Sequence, residues 1–150
     1  MAKTTYQAEN EIREVVEKFE RCQYAVEEFT HARHLTVACW YLCTMSREKA
    51  LVRMRVSLTR FIAHHGKRGY HETITRFWME LLGDFLRQQT PAASLRNKTN
   101  DALESYANKD VLFSYYTRDR VMSEVAKREW LEPDLRTVRA GGPRPSEMPG

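Results

Sequence analysis

No apolar stretch in this chain approaches the roughly 20 residues that a membrane-spanning helix requires. The longest, Leu35 to Met45, is interrupted by Thr36 and Thr44. An apolar signal-peptide core is missing too, because Met1-Ala2-Lys3-Thr4-Thr5 leads straight into charged helix-forming sequence. Cysteine is scarce: Cys22, Cys39 and Cys43 are odd in number and show neither Cys-x-x-Cys nor zinc-ribbon spacing. These absences predict a cytoplasmic protein with no membrane span and no disulfide framework. Cys39 and Cys43 share a helix face at i,i+4, and the expectation for all three thiols is that of small buried hydrophobes. Also lacking is a charge of one dominant sign. Twenty-four Lys and Arg are interleaved with 20 Asp and Glu, for a net +4. The densest basic stretch, Lys49, Arg53, Arg55 and Arg60, carries no aromatic interleaving, so a solvated helix face is preferred to a nucleic-acid surface.

What is present is helical periodicity over almost the whole length, with no segment alternating as a strand would. Hydrophobic residues make up 42% and charged residues 29% of the 150, a globular balance adequate for one domain. The spacing predicts helices over about 7–21, 30–45, 46–65, 70–89 and 94–108, then a short helix at 111–116 and another at 117–130. Thr30 and Ser46 are natural N-caps, and Gly66 just past a helix suits a left-handed C-terminal cap. Thr90-Pro91 marks a break, and Pro133 ends the pattern. The fold expected is all-α, an irregular bundle of about six helices in a single domain over 1–139. The Pro- and Gly-rich residues 140–150 read as a disordered tail.

The chemistry-bearing residues are histidines. His31 and His34 lie one turn apart on the inward face of the second helix, and His65 and His71 continue inward stripes of the third and fourth. His64 points off the stripe. Short connections make neighbouring helices antiparallel, which would bring His31, His34, His65 and His71 to one end of the bundle with Glu27, Glu28 and Glu72. Imidazoles with a carboxylate suit a divalent metal (zinc, iron or manganese), so His31, His34 and His71 are candidate ligands with Glu72 as a fourth. Glu28 and His31 partly echo the Glu-x-x-His pairs of di-iron bundles. There is no His-Glu-x-x-His, since residue 75 is Thr75.

A metal-free reading is also open. Two helix N-termini and the Lys67/Arg68 turn would favour a small anionic ligand and keep nearby imidazoles neutral, as a general base requires. His71 and Glu72 are then the catalytic candidates, with Tyr70, Thr73, Thr75 and Tyr116 lining the ligand, and Tyr115 beside them. The alternative is a non-catalytic interaction or regulatory module whose histidines are structural and which forms homo-oligomers. The aromatic residues Trp40, Trp78, Trp130, Phe77 and Phe85 read mostly as core.

Three stretches carry a resemblance: Phe29-Thr30-His31-Ala32-Arg33-His34-Leu35, Tyr70-His71-Glu72-Thr73-Ile74-Thr75 and Trp130-Leu131-Glu132-Pro133-Asp134-Leu135. With them the chain resembles a family of small, uncharacterised bacterial all-helical proteins over roughly residues 19–136. The resemblance implies no reaction. It directs attention to His31, His34, His71, Glu72 and Thr73.

Overall fold

The structure is a computed structural model describing residues 5–138, all-helical and without strands among them. The segment 140–150, read above as a disordered tail, lies outside the described residues. Among the described residues eight α-helices occur where about six were expected: α1 Glu9–Glu20, α2 His31–Thr44, α3 Arg47–His64, α4 Glu72–Arg87, α5 Leu95–Ser105, α6 Leu112–Tyr115, α7 Arg118–Val121 and α8 Glu124–Arg128. Short 3₁₀ turns at Val26–Glu28 and Lys109–Val111 complete the set. The difference arises at the C-terminal end. There, Ser123 accepts a hydrogen bond from the Ala126 N–H at 3.2 Å and starts a new helix inside the expected 117–130 element. Serine competes well for such a boundary because its hydroxyl replaces a missing backbone acceptor.

The five longer helices form because local chemistry marks their ends and one face of each is apolar. Thr30 and Ser46 cap α2 and α3 as expected, accepting from Arg33 and Lys49 N–H groups. Beyond α3, Gly66 adopts φ 65°, and the Gly66 and Lys67 N–H groups bond back to Ala63 and Ile62 at 2.9 and 3.0 Å. Those two bonds make a Schellman cap, which satisfies carbonyls that the helix end would otherwise leave open. At α1, Cys22 takes the equivalent left-handed position with φ 56°. The α1 start is held by Glu11, whose carboxylate accepts from the Gln7 and Ala8 N–H groups at 2.6 and 2.8 Å.

Helix α2 is the centre of the molecule. It packs against α1, α3, α4 and α5, so it cannot keep a polar face. Leu35, Thr36, Val37, Ala38 and Cys39 are all buried in succession, the pattern of a helix covered all round. Around it lie Ile12 and Phe19 of α1, Met54 and Phe61 of α3, and Phe77 and Leu82 of α4. The aromatic expectation holds in graded form. Phe77 and Trp78 are buried, while Trp40, Phe85 and Trp130 are half-buried against the core. The thiols divide: Cys39 is buried, Cys22 half-buried and Cys43 exposed, and all three are free. Cys43 therefore corrects the expectation of three buried thiols, because its turn of α2 lies beyond the covered centre. No helix among the described residues is long and apolar enough to cross a membrane.

Candidate functional site

Each inward histidine is positioned by a helix end, and three of them reach a carbonyl of a distant connection. His31, the first residue of α2, places Nε2 2.8 Å from the carbonyl of Tyr106, the residue that ends α5. Its ring also meets Trp78 edge-on, with centroids 5.0 Å apart. His65 ends α3 and places Nε2 2.9 Å from the Tyr24 carbonyl after α1. His71 is the N-cap of α4 rather than a residue within it. Its Nδ1 accepts from the Ile74 N–H at 3.1 Å, and its Nε2 lies 2.8 Å from the carbonyl of Val121, which ends α7. An imidazole accepting at Nδ1 carries its proton on Nε2, so His71 donates to Val121 and keeps no free lone pair. Two of these carbonyls belong to helix C-termini, where the last turn has no partners of its own. His34 differs: its ring makes no side-chain hydrogen bond among the described residues and lies 5.3 Å from the Phe29 ring.

Electrostatics follow from this burial. Desolvation lowers the His31 pKa, against an opposing hydrogen bond from the Tyr106 carbonyl. It lowers His71 in the same way, against the Val121 carbonyl. For His34 desolvation, helped by nearby His31, lowers the value to about 4. All three rings are therefore neutral at neutral pH.

The remaining candidates are equally committed. Glu72 receives Arg55 through both guanidinium Nε contacts, at 3.0 and 3.1 Å, and through Nη2, and it accepts from the Tyr70 hydroxyl at 2.6 Å. Burial alone would raise its pKa, but Arg55 and Tyr70 outweigh this and lower it, which favours the ionised carboxylate. Thr73 is fully buried; its hydroxyl donates to the Glu129 carbonyl at 2.8 Å and accepts from the Leu131 N–H at 3.2 Å. Tyr116 is fully buried and donates to the Leu131 carbonyl at 2.6 Å. Thr75 is buried. Tyr115 is buried and accepts Leu135 N–H at its own carbonyl at 2.9 Å.

Together these bonds describe a strap. Residues 129–135 cross the start of α4 and are fastened by Thr73, Tyr116, the Tyr115 carbonyl and Arg120, whose Nε donates to the Glu132 carbonyl at 2.7 Å. Trp130 lies under the Arg76 guanidinium, 4.5 Å from its centroid. The polar residues chosen from spacing bond mostly to the chain's own backbone and to one another. Among the described residues, no group of three or more His, Cys, Asp or Glu side chains is placed to hold a metal ion. His31 and His34 are neighbours, as spacing required. His71 is directed to α7 and His65 to the α1 exit, so the four do not converge as one ligand set. Spacing put each ring on an inward face without saying which backbone carbonyl it would meet there.

Two grooves lie along α3 and at its start. On the outer face of α3, Val52 is 54% and Val56 48% exposed. They line a groove of about 620 Å³ with Met45, Glu48, Lys49, Arg53 and Arg60. Of these cations, Arg53 reaches Glu20 at 2.9 Å. A second groove of about 330 Å³ lies between α2, α3, α4 and α5, lined by Leu42, Cys43, Arg47, Gly83, Leu86, Arg87 and Lys98. Sequence reasoning treated Lys49, Arg53 and Arg60 as a solvated face and passed over Val52 and Val56. The signal was there: two valines at i,i+4 fall off the inward stripe of Leu51, Met54, Leu58 and Phe61. Arg55, the partner that fixes Glu72, was also assigned only to that basic face. Set against protein-family models, curated proteins and solved structures, the chain matches none.

Proposed function

We propose that the protein is a non-catalytic interaction module, and that the outer face of α3 receives an acidic amphipathic helix of a partner protein. The observation that carries this reading is the exposure of Val52 and Val56 on successive turns. Two apolar side chains placed in line on a surface helix lose free energy in water and gain it under a partner. Counting along α3, Lys49, Val52, Val56, Thr59 and Ala63 recur at alternating intervals of three and four. That is the seam spacing by which one helix packs on another. Lys49 begins the seam and Arg53 and Arg60 flank it, with Glu48 as the single acid of the groove. The charge favours an acidic partner over a second copy, because two such faces would oppose cations to cations.

The test is fluorescence anisotropy with a labelled synthetic helix carrying leucines at seam spacing and glutamates beside them. Binding that weakens with salt, and that Val52→Asp/Val56→Asp removes while helicity and melting temperature hold, is the expected result. No binding, or binding undiminished in the double variant, overturns the reading. Self-association through this face, or tighter binding of a single-stranded oligonucleotide, overturns the choice of partner.

One observation favours a second reading, ligand chemistry at the histidines: the half-buried His34 ring is neutral and makes no side-chain hydrogen bond among the described residues. Under that reading, untagged protein prepared without chelators carries near-stoichiometric zinc, iron or manganese, and His31→Ala/His34→Ala loses it. A metal-free preparation that also refuses all three ions on reconstitution removes the metal.

A further inference from the structure

We propose that the groove between the end of α2, the start of α3, the second half of α4 and α5 binds the phosphate group of a small phosphomonoester. Three cations line it, Arg47, Arg87 and Lys98, around a volume of about 330 Å³. Asp84 is the carboxylate among them, its side chain only 12% exposed. One of its oxygens, Oδ1, accepts from both arginines, from Arg47 at 2.9 Å and from Arg87 at 3.2 Å. Arg47 also donates to the Glu80 carbonyl at 3.2 Å. These contacts hold the two guanidinium groups on one anchor and leave most of their N–H donors available. Lys98 makes no side-chain hydrogen bond or ion pair among the described residues. The formal balance is three positive charges against one, which matches a phosphate dianion.

Gly83 supports the same assignment from a separate direction. It sits inside α4, where glycine costs about 1 kcal/mol relative to alanine, and no turn or positive φ calls for it. A Cβ there would lie 2.8 Å from Cζ and Nε of Arg47. The glycine lets the Arg47 guanidinium lie flat on the helix, beside Asp84 and facing the groove. Arg47 is the first residue of α3, so the partial positive charge of that helix end adds to the field. Arginine pairs geometrically with phosphate oxygens, and the adjoining Leu42 and Leu86 give an ester substituent apolar contact. Inorganic phosphate would bind more weakly than a phosphomonoester for that reason. The site is independent of the docking reading above, since Val52 and Val56 take no part in it.

Cys43 lines the groove and is exposed, which supplies a positional readout. The experiment follows alkylation of Cys43 by iodoacetamide in the full chain, with Cys22 as internal control. It adds inorganic phosphate, glycerol 3-phosphate or phosphatidate vesicles at matched ionic strength. Saturable protection of Cys43 alone, strongest with glycerol 3-phosphate, is expected. Lys98→Ala removes an unpaired side chain, and Gly83→Ala displaces Arg47 while favouring the helix. Each should weaken protection by about tenfold, the worth of one charge-assisted hydrogen bond, with the melting temperature retained. Protection that never saturates, that both variants preserve, or that only vesicles provide overturns the proposal.

Discussion

The start of α4 carries the polar residues that spacing marks as functional, the outer face of α3 carries residues that spacing marks as plain surface, and the fold uses the two in opposite ways. At α4, His71, Thr73 and Tyr116 reach the backbone of residues 121–131. At α3, Val52, Val56 and Lys49 face solvent. A buried polar group without a partner is costly. The groups at α4 are therefore obliged to bond to something, and the chain's own carbonyls are what lies within reach. On α3 no such obligation exists, so its surface is free to be specified by something outside the molecule. The two regions should respond to perturbation in different currencies, the first in stability and the second in binding.

Acidification should separate them most strongly. His31, His34 and His71 have pKa values below the ordinary 6.5 in the folded chain, His34 at about 4. Below pH 6.5 the unfolded chain takes up protons that the folded one refuses, so stability is complete above that value and falls as pH drops toward 4. For His34 alone the loss is on the order of 3 kcal/mol across that window. Urea unfolding from pH 7 to 4 should show the decline, and His34→Leu should flatten it. An unchanged slope in that variant would mean that His34 is accessible to protons in the fold.

Next in size is His71→Ala, which removes an N-cap and leaves the Val121 carbonyl unpaired, for about 3 kcal/mol together. His71→Asn keeps a capping oxygen and should recover about 1 kcal/mol of it. If His71 served a ligand and not the fold, both variants would melt with the wild type. Thr73→Val follows: it preserves shape but deletes two hydrogen bonds to the strap, at about 2 kcal/mol. Hydrogen exchange should then quicken at Leu131, whose N–H loses its acceptor, before it changes in α2. Smallest is Val52→Asp/Val56→Asp, expected to shift unfolding by no more than about 0.5 kcal/mol. A large loss there would show that the α3 face is covered in the folded chain, and the contrast would fail.

Much of the architecture was legible because its causes are local. Thr30, Ser46 and Gly66 act on groups within four residues of themselves, and the apolar stripe of α3 needs only its own 3.6-residue period. The extra break at Ser123 was missed because a serine inside a periodic segment caps or continues a helix according to what packs on it, here α8 against α4. The candidate residues were legible as inward-facing, which is all that spacing can establish. Which atom each would meet depended on partners 75, 50 and 41 positions away for His31, His71 and His65.

The sequence by itself determined that this chain is helical, where its long helices begin and end, and which side chains turn from water. Those outcomes follow from backbone hydrogen bonding and hydrophobic periodicity, and both act over a few residues. Only the tertiary structure decided that three of the imidazoles reach distant backbone carbonyls, that Glu72 is held by Arg55, and that two valines of α3 stay uncovered. Each of these depends on how many neighbours surround a helix and at what angle they cross it, which no single segment encodes.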